Sequence, residues 1–331
     1  MSTKQELDAI LHRAALAPLN DRAFLRVTGS DATRWLNGMV TNSVQALAPG
    51  EGCYNFLLNA QGRILGDCTI FRELNPAEPA SFLLQTDNWQ LETVRQHLDH
   101  FIIMDDVELT PTINDKTGML VIGPGALATL DVLNAWPTPP VSISPARDIF
   151  GDPVIIDGNP LILSVAKNNY EFWGDQTTVD WIRSSGDPQV SPEALEALRL
   201  IESRPLFGRD ITERYLPQET NQPQALHFNK GCYLGQEIVE RIRSRGQVHR
   251  LLTPLTLTGK LPQELPTPIE SDGKPVGEIT SAVLVPLPDG DQILALGYVR
   301  REALDTHAAL TYPGGTAAPR AASKELQTTT H

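Results

Sequence analysis

The chain has 331 residues, 41% hydrophobic and 20% charged, enough for two or three domains with a substantial core, in proportions ordinary for a soluble protein. Asp and Glu number 40 against 27 Lys and Arg, and a net charge of −13 excludes a surface built as a whole for nonspecific contact with nucleic acid or anionic membrane. Three cysteines, at 53, 68 and 232, with no CxxC pair and no histidine at ligand spacing, fit a reducing cytoplasm and are too few for a permanent iron–sulfur cluster, which usually takes four cysteine ligands.

The amino-terminal stretch MSTKQELDAILHRAALAPL alternates charged and apolar residues at helical period and lacks the apolar core of a signal peptide. No later run approaches 18 apolar residues, so a cytoplasmic chain with no membrane span is expected. Residues 24–28 read as a strand, 29–30 as a turn and 31–39 as a short helix with Trp35 and Leu36 inward, followed by a polar loop at 40–43. Strands at 54–58 and 63–71 flank Asn59-Ala60-Gln61-Gly62, a hairpin turn in which glycine tolerates positive φ. Cys53 and Cys68 fall in these strand-like runs and read as core.

A strand at 81–85, a helix at 88–103 and strands at 107–110 and 119–122 follow. Gly123-Pro124-Gly125 then opens a helix through 133. The segments LRVTGSDATRWLNG (25–38) and LVIGPGALATLDVL (120–133) share strand, glycine turn and helix, which is either an internal repeat or a coincidence common in α+β proteins. Neither turn has the spacing of a phosphate-binding loop. Proline-rich residues 136–145 form a connector, 154–156 and 161–165 a hairpin, and 175–185 a helix. Ser191-Pro192-Glu193 starts a further helix, with serine as N-cap and proline in the first turn, which runs to 201 and delivers Glu202 and Arg204. Past 250, short β-prone runs broken by Pro and Gly indicate a small antiparallel barrel or sandwich over 251–313, and polar residues 314–331 read as a frayed tail.

The densest stretch is NKGCYLGQEIVERIRSRGQVHR, 229–250. Cys232 sits between Gly231 and Gly235, after Lys230 and before Tyr233, and Gln236 and Glu237 open a helical segment. Unpaired N–H groups at a helix start and a neighbouring lysine both favour a thiolate, the form that acts as nucleophile or metal ligand. Lys230, Arg241, Arg243, Arg245 and Arg250 outnumber Glu237 and Glu240 here, which is either an anion-binding surface or a solvated helix face with a Glu237–Arg241 pair.

KGCYLGQE at 230–237 resembles the signature of the YgfZ family of folate-binding proteins, relatives of the glycine-cleavage T-protein, an aminomethyltransferase. VTGSDATRWLNGMVTN (27–42), NAQGRILGDCTIFR (59–72), IESRPLFGRDITERYLPQETN (201–221) and RGQVHR (245–250) are similar to their family counterparts, and the likeness extends over roughly 20–300. The resemblance implies an α+β, three-lobed T-protein-like fold with a central folate-binding hole and a C-terminal antiparallel β-barrel. It further implies a folate-binding region over 1–250 made of two interlaced α+β lobes, the second at roughly 53–145. Tetrahydrofolate, with or without a polyglutamate tail, is the implied cofactor. Glu202 corresponds to the acid that faces the pterin, and Gln218 and Asn221 to the lining of the hole, while the arginine run with Arg243 would receive the polyglutamate tail or an acidic client surface.

The implied activity is assembly or maintenance of iron–sulfur clusters in client enzymes, including some that modify tRNA, with Cys232 as the reactive or transient ligand-bearing group and Lys230 helping to hold its thiolate. Partners would be those clients and folate, with no direct DNA, no membrane and no permanent metal. The T-protein carries GG-x-x-DD where this chain has Gly62-Arg63-Ile64-Leu65-Gly66-Asp67, with one acid remaining, and it lacks the KGC cysteine. An active aminomethyltransferase using Asp67, and a folate- or client-binding scaffold with no enzymatic step, stay open as alternatives.

Overall fold

The computed structural model describes residues 1–74, 79–113, 115–130, 154–158, 161–166, 168–246, 248–287 and 290–321. Two five-stranded antiparallel sheets and a closed six-stranded barrel organise them. The first helix, Thr3–His12, starts on a capping box in which the Ser2 side chain takes the Gln5 N–H and the Gln5 side chain takes the Ser2 N–H. It ends before the strand Ala15–Leu19, which the helical pattern of the first 19 residues conceals.

The chain then crosses to one sheet, ordered Gly52–Leu58, Ile64–Arg72, Phe82–Asp87, Arg22–Thr28, Glu108–Thr112, and returns to the other. That second sheet runs Val154–Gly158, Leu161–Ala166, Asn169–Gly174, Thr117–Ile122, Ala15–Leu19. The two orders match position for position: a hairpin, a strand that leads into a helix (Leu91–Asp99 or Gln176–Arg183), the strand of the glycine-turn motif, and an edge strand. The shared pattern at 25–38 and 120–130 is therefore the visible part of a structural repeat, and residues 131–133 of the expected helix lie outside the described residues. Both turns use glycine for the same reason. Gly29 has φ +117°, and a Cβ there would lie 2.0 Å from Asp106 O; Gly123 has φ +111°, and a Cβ would lie 2.6 Å from Arg13 O.

The sheet built from strands between Arg22 and Thr112 lies in sequence between Ala15–Leu19 and Thr117–Ile122 of the other sheet, and it takes in Arg22–Thr28 from before residue 53. Arg22–Thr28 pairs between Phe82–Asp87 and Glu108–Thr112, a non-local choice that no local pattern announces. The connector expected at 136–145 lies outside the described residues. Phe24 meets Trp173 edge to face at 5.0 Å, and Arg22 reaches Glu171 at 3.5 Å, so aromatic and charged contacts both join the lobes.

The long helix Pro192–Ile201 begins as expected, with Ser191 Oγ accepting from Ala194 N at 3.3 Å. Its buried Arg199 ties the lobes to the barrel. The guanidinium donates to Asp210 Oδ2 at 2.7 Å and Ser281 Oγ at 2.9 Å, and Asp210 Oδ1 accepts from Thr280 and Ser281. The barrel runs Arg250–Gly259, Gly290–Arg300, Lys274–Leu287, Thr267–Ser271, Leu310–Tyr312 and Gly315–Pro319, which pairs back with Arg250–Gly259. The closing strand thus lies within the segment from 314 expected to fray. Its five short residues carry little propensity, and ladder bonds on both edges hold it.

Candidate functional site

Residues 230–235 form a loop, anchored by the buried Lys230 and Tyr233, that leads into the helix Gln236–Arg245. Lys230 is buried, and its ammonium donates to Val40 O at 2.6 Å and Asn42 O at 2.5 Å. Burial pushes its pKa down to about 7. The expectation that Lys230 holds the Cys232 thiolate is therefore corrected: its hydrogen bonds go to the 40–42 backbone. That segment, read from sequence as a polar loop, is itself buried at Val40 and Thr41, and Thr41 Oγ1 donates to Ala225 O at 2.6 Å. The VTN residues are the dock on which the KGC loop is seated.

Tyr233 enters a core cluster with Phe56, Leu58, Ile64, Ile211 and Val239, and burial raises its pKa to about 12. Leu234 N donates to Gly38 O at 3.0 Å, pinning the loop to the end of the helix Ala32–Met39. Gln236 Oε1 turns back to accept from Tyr233 N at 3.2 Å, so it serves the loop and does not project from it. Gly235 has φ +79°, and a Cβ there would lie 2.6 Å from Asn59 O; a Cβ on Gly62 would lie 2.8 Å from Ile238 Cβ. The two glycines let the Asn59–Gly62 turn and the start of the helix Gln236–Arg245 pack backbone to backbone. Gly231 has no such constraint, with nothing within 4 Å of its Cβ position.

Between these fixed points Cys232 is exposed, whereas Cys68 is buried and Cys53 intermediate. Cys232 lies four residues before the first helical residue, with Gly235 as N-cap, so the thiol is upstream of the helix start. Glu237 is exposed and pairs with Arg241 at 2.6 Å. Arg243 stacks over Phe228 at 4.5 Å and lies 3.6 Å from Glu240, leaving it about half exposed. Arg250 is committed elsewhere: it donates to Glu219 at 3.0 Å and lies over Tyr215, which stacks on Tyr298 at 3.8 Å.

The residues matched to a pterin site are placed as follows. Glu202 caps the C-terminal end of the long helix, its Oε2 2.7 Å from Arg204 Nε. Gln218 belongs to a 3-10 turn, Pro217–Thr220. Its Nε2 donates to Val239 O at 2.8 Å, while its buried Oε1 has no hydrogen-bond partner. Asn221 follows with left-handed backbone, φ +54°, and is exposed. Gln218 is thus joined to the motif helix, and Glu202 is bound to neither Gln218 nor Asn221. A carboxylate beside a single arginine nitrogen and an unsatisfied buried amide oxygen are acceptors that suit the amino and ring N–H donors of a pterin.

Asp67 occupies a different setting. Tyr54 OH donates to Oδ2 at 2.6 Å and Gln90 Nε2 to Oδ1 at 3.0 Å, and burial, the largest effect, raises its pKa despite both bonds. Neither partner carried a signal in the sequence, since Gln90 comes from the loop before the next helix. Beside it Arg22 faces Asp87 and Glu171, with burial again raising the carboxyl pKa at both acids. Among the described residues no group of three or more His, Cys, Asp and Glu is arranged to hold a metal ion, and no helix is long and apolar enough to cross a membrane.

This architecture is that of the glycine-cleavage T-protein. The chain superposes on the aminomethyltransferase T of the Bartonella henselae glycine cleavage system with a TM-score of 0.81 over 97% of this chain and 88% of that one, at 17% identity. Residues 1–139 match the family model of the GCVT N-terminal domain. The chain is homologous both to an iron–sulfur assembly factor and to aminomethyltransferases. It is 28% identical over 262 residues to the mitochondrial iron–sulfur cluster assembly factor IBA57 homolog of Neurospora crassa, spanning 74% of this chain but only 54% of that protein's length. It is 25% identical over 296 residues to the aminomethyltransferase of a Nostoc species, covering 85% of this chain and 76% of that protein.

Proposed function

We propose that this chain is a YgfZ-type, tetrahydrofolate-binding factor that assembles or maintains iron–sulfur clusters in client enzymes, tRNA-modifying ones among them, and acts through Cys232. One observation carries the reading: Cys232 is exposed at the centre of a loop whose flanking residues, Lys230 and Tyr233, are both buried. A thiol displayed on a rigid loop can meet a cluster or thiolate on another protein. The relatedness to an IBA57 homolog supports the same class of work. Folate would be held by acceptors at Glu202, Gln218 and Asn221, and Arg243 would take the carboxylates of a polyglutamate tail. In this reading the iron–sulfur cluster is cargo.

The alternative reading is aminomethyl transfer with Asp67 as the acting carboxylate, supported by the relatedness to aminomethyltransferases. Against it, both Asp67 oxygens already accept hydrogen bonds from Tyr54 and Gln90. Turnover of an aminomethylated lipoyl carrier with tetrahydrofolate separates the two. The proposal expects no turnover, together with loss of iron–sulfur enzyme activity in a deletion strain that the intact gene restores. Robust turnover abolished by Asp67→Asn would replace it with the transferase reading. Charge reversal at Arg243 is expected to weaken a polyglutamylated folate several-fold more than the monoglutamate, and equal losses would remove the tail assignment.

A further inference from the structure

The barrel's closing strand ends at the helix that carries Glu202. After Gly315–Pro319, Arg320 N donates to Pro254 O at 2.9 Å, and the guanidinium turns onto the last turn of Pro192–Ile201. Nη1 and Nη2 each donate to Ile201 O at 3.2 Å, and Nη2 also reaches Ser203 Oγ at 3.0 Å and Leu200 O. Carbonyls at a helix end lack their regular donors, and the macrodipole there favours a cation. The acceptors are carbonyls and a hydroxyl, so the contact fixes geometry and is not an ion pair.

What it fixes is the residue between Ile201 and Ser203. Ser203 has φ +59°, a left-handed conformation that costs a residue bearing a Cβ about 1 kcal/mol or more. The bond from Arg320 to Ser203 Oγ holds that turn, and the bonds to Ile201 O hold the other side of Glu202. We infer that Arg320 is a positioning residue for Glu202, setting the direction of the carboxylate toward a pterin and making barrel closure a condition of ligand binding. The inference rests on the folate reading above.

The test is calorimetric binding of tetrahydrofolate to the full chain and its variants. Arg320→Ala is expected to raise Kd about tenfold, the scale of one charge-assisted contact. Adding Ser203→Gly should recover most of that loss, because glycine holds a left-handed turn unaided. In a Glu202→Gln background Arg320→Ala should change Kd less than twofold, which general loosening of the fold would not reproduce. If the alanine variant does not fold, Arg320→Lys, which keeps the charge but loses the planar fork, should show the same background dependence in milder form. Unchanged affinity in Arg320→Ala, or equal losses in both backgrounds, overturns the inference while leaving the folate reading intact. Failure of the unsubstituted chain to bind tetrahydrofolate removes both.

Discussion

Lys230 brings an ammonium into the protein interior, where two backbone carbonyls supply its hydrogen bonds. With its pKa at about 7 in the fold and 10.5 when exposed, the unfolded chain binds more protons between those values, and stability rises with pH across that window. Urea unfolding at pH 7 and pH 9 should show the protein gaining about 2 kcal/mol more than Lys230→Met does over the same interval. Parallel behaviour of the two would mean that the lysine is not desolvated as described. The motif glycines divide just as sharply. Gly235→Ala should destabilise by about 2 kcal/mol or more, because it combines φ +79° with a carbonyl 2.6 Å from the new Cβ, whereas Gly231→Ala should unfold like the parent. The sequence shows both glycines beside one cysteine. It does not show that one is demanded by the Asn59 carbonyl, because that partner lies far away along the chain.

At the scale of elements, the segment 201–221 drew attention as part of a family pattern, yet much of it is structural. Asp210 is fully buried and accepts from Arg199, Thr280, Ser281 and Leu206 N, so it clamps the long helix to two barrel residues. Asp210→Ala leaves Arg199 buried and half satisfied, and should cost about 3–5 kcal/mol in denaturant unfolding. A loss under 1 kcal/mol would show that the clamp carries little. Helix starts were legible because capping is local: Ser191 with Pro192, and Asp175, whose carboxylate accepts from Thr178 N at 2.8 Å. The strands at 15–19 and 169–174 were not, because both pair with Thr117–Ile122, distant from each of them along the chain, and their limits are fixed by pairing alone.

Across the whole molecule, the glycine-turn repeat and the barrel texture disclosed the architecture, while the place of Arg22–Thr28 inside its sheet and the closing strand came only from tertiary pairing. The barrel depends on that strand. Ending the chain at 313 leaves Arg250–Gly259 and Leu310–Tyr312 with open edges and removes Arg320 from the helix end, so the shortened protein should aggregate or melt well below the parent in a thermal scan. A melting point within a degree or two of the parent would show that closure is dispensable. The sequence offers the residues proposed for the site but not their geometry, because the bonds of Lys230 to the 40–42 backbone and the exposure of Cys232 between buried anchors are set by the fold. The most direct measurement is therefore iron–sulfur enzyme activity in a deletion strain carrying Cys232→Ala or Cys232→Ser at normal protein levels. Neither variant should restore activity, although both should fold and bind folate; full restoration by both would contradict the role assigned to the thiol.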